Sequence, residues 1–148
     1  MAEHEIAIDT GEGAMGTFIV HPDASESSPV VLFLMDAPGK RPLLHDMART
    51  LAAHGYYVML PNLYYRTTDV FELDFADKAS YDRMFELMRG VGNKMVERDA
   101  AALFAHADSD IAADGTRAGC VGYCMSGPFS VWVAAEHRDR VRAAASFY

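Results

Sequence analysis

An unbroken apolar run at residues 30–35 restricts the fold of this chain more than any other feature. A strand that is apolar on both faces must be covered on both, which is typical of the centre of a parallel sheet. Residues 42–54 follow with apolar side chains at helical spacing, a proline at the start and Gly55 after the end. A β-prone segment at residues 56–60 completes a strand–helix–strand unit, so a right-handed parallel crossover is predicted.

The rest of the chain continues this alternation. Two short apolar segments with Thr10-Gly11-Glu12-Gly13 between them predict an opening β-hairpin, and the small, polar residues 23–29 predict a loop. A turn is expected at Asp114-Gly115. Further helices are predicted at residues 79–88, 93–107 and 125–136, and further strands at residues 117–122 and 142–147. This order predicts a single α/β domain with a doubly wound, mostly parallel sheet.

The charge balance argues against two classes of partner. The chain has 21 acidic and 13 basic residues and a formal charge of −8, with no cluster of Lys and Arg, so neither nucleic acid nor a membrane surface is an expected partner. Residues 1–10 lack the order of charges and apolar residues found in a signal peptide, and the longest apolar run is too short to span a bilayer. We therefore predict a cytoplasmic protein.

The two cysteines, Cys120 and Cys124, are predicted to be free thiols. If the segment between them is extended, their Cα atoms lie roughly 13 Å apart, beyond the ~7 Å that a disulfide can bridge. No histidine or further cysteine flanks them, so no zinc site is predicted, and no other metal or cofactor is expected. Cys120 is interpreted as a small apolar residue inside a strand.

The candidate reactive segment of the chain is Gly-Tyr-Cys-Met-Ser-Gly at residues 122–127. A strand that enters a helix through a sharp turn holds the central residue in a strained conformation, and the neighbours of that residue must be small. The N-terminus of the helix favours a thiolate and a developing oxyanion. Cys124 is thus predicted to be a nucleophile. Ser126 is interpreted as a small spacer, because an elbow centred on it would need glycine where Cys124 and Pro128 stand.

The pattern G-x-C-x-x-G at residues 122–127 resembles the nucleophile elbow of the dienelactone hydrolase family. Residues 60–66, Leu-Pro-Asn-Leu-Tyr-Tyr-Arg, resemble the family's Pro-Asp-Leu-Tyr-x-Arg stretch, and residues 30–39 resemble its first central strand and oxyanion turn. The resemblance runs from about Val30 to Tyr148. It implies a truncated α/β-hydrolase fold behind the N-terminal hairpin, and a hydrolase of small esters or lactones, including those that bear a carboxylate.

The resemblance also implies roles for particular residues. It makes Cys124 the nucleophile and the backbone N–H groups of Ala37 and Met125 the oxyanion hole, since Met125 begins the helix and Ala37 follows a neighbouring strand. Asp36 stands where the family has a glutamate near the thiol, and this shorter carboxylate is therefore the second catalytic candidate.

Two further residues match substrate-binding positions of the family. Arg66 corresponds to an arginine that helps to hold a substrate carboxylate, a task suited to its planar fork, and Tyr64 is expected to line the same pocket. Family members complete the triad with an Asp and a His on loops after later strands. None of the six histidines here stands in such a place, and the chain ends at Tyr148. An incomplete domain without efficient hydrolase activity is therefore expected, with self-association through its last strand.

Two other functional classes remain open at the level of sequence. Cys124 at a helix N-terminus could act as a redox-sensitive thiol without any hydrolase activity. A flavodoxin-like binding protein is the third reading, but no Gly-rich phosphate loop follows residue 35 or residue 60.

Overall fold

The computed structural model describes residues 1–23 and 25–148, and these residues form a six-stranded mixed sheet flanked by helices. The strands are β1 (Ala2–Asp9), β2 (Ala14–His21), β3 (Ser28–Leu34), β4 (Tyr57–Pro61), β5 (Ala113–Tyr123) and β6 (Val141–Phe147). The helices are α1 (Pro42–Ala52), α2 (Lys78–Arg89), α3 (Asn93–Ser109) and α4 (Gly127–Glu136), and a short 3₁₀ turn at Cys124–Ser126 precedes α4.

The sheet has the strand order β1-β2-β4-β3-β5-β6. The pairs β1/β2 and β2/β4 are antiparallel, whereas β4, β3, β5 and β6 run parallel to one another. The predicted hairpin, the parallel crossover and the α/β class are thereby confirmed. After β3 the chain forms β4 on one side of β3 in the sheet, and it then forms β5 and β6 on the other side of β3. Right-handed crossovers therefore place α1 on one face and α3 and α4 on the opposite face.

The apolar run at residues 30–35 lies at the centre of this sheet, as predicted. Leu32 and Phe33 have no solvent exposure, and β4 beside them is buried along its whole length. No helix in the described part of the chain is both long enough and apolar enough to cross a membrane.

The predicted turn at Asp114-Gly115 is wrong, because both residues belong to β5. The strand bulges there: Pro29 pairs with Asp114 but the next residue, Val30, pairs with Ala118. The Asp114 carboxylate stabilises the bulge by accepting hydrogen bonds from the backbone and side chain of Thr116 and from Arg117. The predicted loop at residues 23–29 is shorter than expected, since β3 begins at Ser28, and Ala24 within it lies outside the described residues.

The topology creates a crevice between the ends of β3 and β5. These strands are neighbours, but the connection after β3 leads to one side of the sheet and the connection after β5 to the other. Loops that diverge in this way leave an opening at the carboxyl ends of the strands, where open α/β sheets bind ligands. Asp36 and Ala37 follow β3, and Cys124 follows β5, so the candidate residues meet at this opening.

Strand β6 lies at the edge of the sheet, with β5 as its one neighbour among the described residues. A groove of about 600 Å³ crosses the sheet face beside it and is lined by apolar residues that include Leu51, Tyr123 and Phe147. Exposed strand edges favour pairing with another chain, so self-association through β6 stays a prediction.

The hydrogen bonds at the β5 bulge lead to a prediction about stability and pH. Contacts from Thr116 and then Arg117 lower the pKa of Asp114 from 3.8 to about 2. A carboxylate with a lowered pKa stabilises the fold fully above its unfolded value and loses this effect as the pH falls through its folded value. Asp114→Asn should therefore be less stable than the parent near pH 6, and the difference should shrink between about pH 4 and pH 2.

Urea unfolding followed by circular dichroism across this pH range measures the difference. Glu136→Gln, at an exposed position of α4, serves as the control. A stability difference for Asp114→Asn that does not change with pH would contradict this account of the bulge.

Candidate active site

Cys124 occupies the junction between β5 and the 3₁₀ turn before α4. Its φ angle is 53°, and within the described ranges it is the one non-glycine residue with a positive φ. Its side chain is exposed, whereas Cys120 inside the strand is buried. A non-glycine residue in this conformation costs energy and persists where its surroundings impose it. The predicted strained junction is thus confirmed, and both cysteines are free.

Small neighbours make this turn possible. A Cβ atom on Gly122 would overlap the backbone carbonyl of Ser126, and one on Gly127 would lie 2.5 Å from the Ser146 hydroxyl. Ser126 is fully buried, and its hydroxyl donates a hydrogen bond to the Met35 carbonyl at 2.5 Å. Ser126 is therefore more than the predicted spacer, because it ties the turn after β5 to the end of β3.

The loop after β3 holds Ala37 in a tight turn. The Gly39 N–H donates to the Asp36 carbonyl at 3.0 Å, and Gly39 has a φ of 87°, which glycine adopts without strain. The Asp36 carbonyl and the Ala37 N–H belong to one planar peptide and point in opposite directions, so the N–H points out of the turn. Among the turn, loop and side-chain hydrogen bonds of the described residues, none uses the N–H of Ala37 or of Met125. The oxyanion-hole role of these two N–H groups stays a prediction.

Tyr64 connects this loop to the turn at Cys124. Its hydroxyl donates to the Ala37 carbonyl at 2.8 Å and lies 3.4 Å from the Met125 sulfur. The side chain is only 2% exposed. Burial raises the pKa of the Tyr64 hydroxyl, and the negative charges of Asp36 and Cys124 raise it further. Tyr64 also borders a cavity, so its predicted place in a substrate pocket stays a prediction, while its hydroxyl binds within the protein.

Asp36 lies at the same edge of the sheet as Cys124, since the two residues follow the parallel strands β3 and β5. Its two carboxylate oxygens accept hydrogen bonds from the Arg41 fork at 2.5 and 2.8 Å. Arg41 was not predicted as a site residue from the sequence, although it lies five residues after the candidate acid Asp36. A carboxylate has about four lone-pair sites, so these two bonds do not exclude a catalytic role for Asp36, which stays a prediction.

Arg66 takes part in an ion-pair network instead of facing an open pocket. Its guanidinium binds both oxygens of Asp99, at 2.7 and 3.1 Å, and also the Glu12 carboxylate at 2.6 Å. Asp99 lies fully buried on α3. Arg66 thus joins the hairpin turn, through Glu12, to α3, through Asp99, and its planar fork already binds a carboxylate of the protein. A contact of Arg66 with a substrate stays a prediction. An acidic residue on the otherwise apolar face of α3 was the signal that sequence reasoning missed.

The histidines are held away from the thiol. His45 stacks on Phe18, His137 contacts the Glu97 carbonyl, and no hydrogen bond between described residues joins a histidine to Cys124. Among the described residues, no group of three or more His, Cys, Asp or Glu side chains is arranged to bind a metal ion.

Comparison with known proteins connects this geometry to one family. The sequence profile of the dienelactone hydrolase family matches residues 15–148. A Methylorubrum extorquens protein provisionally named carboxymethylenebutenolidase is 28% identical over 97% of this chain and 48% of its own length. A carboxymethylenebutenolidase from a Pseudomonas species is 30% identical over 92% of this chain and 57% of its own length. The chain thus spans about half the length of the curated relatives it matches.

The fold is also similar to that of a solved protein structure. A crystal structure of a provisionally named dienelactone hydrolase from Klebsiella pneumoniae superimposes with a TM-score of 0.84 and 25% identity. The match covers 98% of this chain and 58% of that protein.

The close contact at Gly122 predicts a steep cost for any side chain. Gly122→Ala places its methyl group against the backbone of Ser126, which cannot move without undoing the turn, so we expect a loss of more than about 3 kcal/mol. Gly119→Ala is the matched control on the same strand, because its nearest non-neighbouring atom is 3.7 Å away. Thermal unfolding of both variants makes the comparison, and equal stability would contradict the steric account.

The two thiols should differ strongly in reactivity. Cys120 is 3% exposed and burial raises its pKa to about 12, so little of it is thiolate at neutral pH. Iodoacetamide should label Cys124 faster by on the order of 100-fold in the folded protein. Mass spectrometry of digests over time measures both rates, and Cys124→Ser should abolish the fast phase. Equal labelling would contradict the predicted access to Cys124.

Proposed function

The chain belongs to the dienelactone hydrolase family, and on this basis we propose that Cys124 is the nucleophile of a hydrolase of small esters or lactones. The observation that carries the proposal is the exposed thiol with a φ of 53° between β5 and a helix. A backbone strained at one exposed reactive side chain is typical of a functional site. The family match and the carboxymethylenebutenolidase relatives support the reaction class.

The proposed reaction begins with attack of the Cys124 thiolate on the carbonyl carbon. A carbon–sulfur bond forms, and the carbonyl electrons move to the oxygen, which the N–H groups of Ala37 and Met125 bind. The ester carbon–oxygen bond then breaks, the alcohol leaves with a proton, and a thioester remains on Cys124. Water hydrolyses the thioester, releasing the acid and restoring the thiol. For a lactone, alcohol and acid are parts of one product.

The loop after β3 borders a small cavity that is lined in part by charged residues. A cavity of about 230 Å³ lies beside Tyr64 and is bordered by Lys40 and Arg41. The forks of Arg41 and Arg66 are bound to the protein carboxylates of Asp36 and Asp99, so a substrate carboxylate would have to compete with an internal ion pair at either arginine.

Proton transfer sets the expected activity of this 148-residue chain. Acyl transfer needs a base for the thiol proton and an acid for the leaving group, and the histidines described here are held elsewhere. Losing the imidazole of a triad lowers turnover on the order of 10⁴-fold. An activated ester with a good leaving group needs less help, so its first step should still be observable.

We therefore predict that p-nitrophenyl acetate acylates the chain once and is then turned over very slowly. Stopped-flow absorbance should show a burst of up to one p-nitrophenol per chain, and mass spectrometry should find the acetyl group on Cys124. Cys124→Ala should remove the burst, and the control Cys120→Ala should retain it.

Two results would change the proposal. Rapid continuous turnover that Cys124→Ala abolishes would mean that a residue of this chain supplies the base. Absence of acylation, together with formation of a sulfenic acid at Cys124 by dilute peroxide, would favour a redox-sensitive thiol instead.

A further inference from the structure

We propose that Tyr64 is the positioning residue of the oxyanion hole, and that it fixes the separation of the Ala37 and Met125 amides without touching the substrate. The inference rests on the proposed function, since it concerns the same site. It assigns to Tyr64 a role that differs from the substrate contact predicted from the sequence.

The contacts of the Tyr64 hydroxyl carry this inference. The two candidate oxyanion donors come from different strands, Ala37 after β3 and Met125 after β5, and nothing in the local sequence of either sets their separation. The one hydroxyl of Tyr64 reaches both residues, at the Ala37 carbonyl oxygen and the Met125 sulfur. An oxyanion hole depends on donors that are fixed before the charge develops, so a group that holds both residues affects the rate directly.

The Tyr64 side chain is itself firmly held. The Asn62 side chain accepts a hydrogen bond from the Tyr64 N–H at 3.0 Å and donates to the carbonyls of Thr68 and Asp69. The Tyr64 ring packs against Phe71, with ring centroids 6.1 Å apart. A buried ring with a fixed backbone on one side and an aromatic neighbour on the other gives its hydroxyl a single position.

Removing the hydroxyl should loosen the Ala37 loop. The Ala37 carbonyl has no other partner among the hydrogen bonds of the described residues, and it is buried. A buried carbonyl that loses its donor favours a different backbone arrangement in which it can bind water. The Ala37 N–H, on the other side of the same residue, would move with it.

A second link should limit this loosening at the other end of the loop. The Ser126 hydroxyl binds the Met35 carbonyl, two residues before Ala37. Ser126→Ala therefore removes a separate connection between the same two segments, and it provides an independent variant should Tyr64→Phe be poorly folded.

The test compares two electrophiles at the same thiol. Acylation by p-nitrophenyl acetate passes through an oxyanion, whereas alkylation by iodoacetamide displaces iodide from a saturated carbon and forms none. Tyr64→Phe should slow the acylation burst by about 10-fold, less than loss of a donor itself, and leave the alkylation rate within about twofold. Ser126→Ala should act in the same direction. Tyr57→Phe is the matched control, since Tyr57 is an equally buried tyrosine whose hydroxyl binds Asp110 far from the thiol.

Each outcome decides the matter. Selective slowing of acylation in Tyr64→Phe supports the inference. Equal slowing of both reactions would show a general disturbance of the Cys124 turn and overturn it, as would unchanged acylation in both Tyr64→Phe and Ser126→Ala. A parent chain that is alkylated but never acylated would overturn the proposed function, and the inference with it.

Discussion

The structure depends on one steric constraint, the contact between residue 122 and the carbonyl of Ser126. The chain must leave the central strand β5 and begin a helix within three residues, and only the absence of a side chain at Gly122 allows the backbone to fold back so closely. The same reversal forces Cys124 to a φ of 53° and directs its thiol away from the core. The packed sheet and helices around Cys124 hold its backbone in this strained conformation.

The candidate site is assembled across the sheet by side chains that are not chemically reactive themselves. Ser126 binds the end of β3, and Tyr64 binds the loop that follows it, so the segments after β3, β4 and β5 are joined by two hydroxyl groups. Further away, Arg66 after β4 binds both Glu12 of the hairpin turn and the buried Asp99 of α3. Removing one partner of this buried ion pair would leave the other charge unpaired in the interior, which strongly destabilises a protein. We therefore interpret the Arg66–Asp99 pair as part of the structural framework.

Much of the fold could be predicted from the sequence because its signals are local. The apolar run of β3, the periodicity of α1 and the small residues around Cys124 each act within a few positions, and all three predictions hold. The turn expected at Asp114-Gly115 failed because pairing of β5 with β3 continues past a bulge that the Asp114 carboxylate stabilises. The contacts of Arg66 and Tyr64 could not be predicted from local signals, because their partners lie 33 and 27 residues away in the sequence.

The sequence by itself determined the α/β class, the position of the strained cysteine and the membership in a family with a cysteine-centred elbow. These features follow from side-chain size and apolar periodicity, which the chain carries at each position whatever its neighbours in space. Only the tertiary structure decided which polar groups face each other: Arg41 with Asp36, Arg66 with Asp99, and Tyr64 with Ala37. Hydrogen bonds and ion pairs act over about 3 Å, so the partner of a polar side chain is set by packing between distant segments.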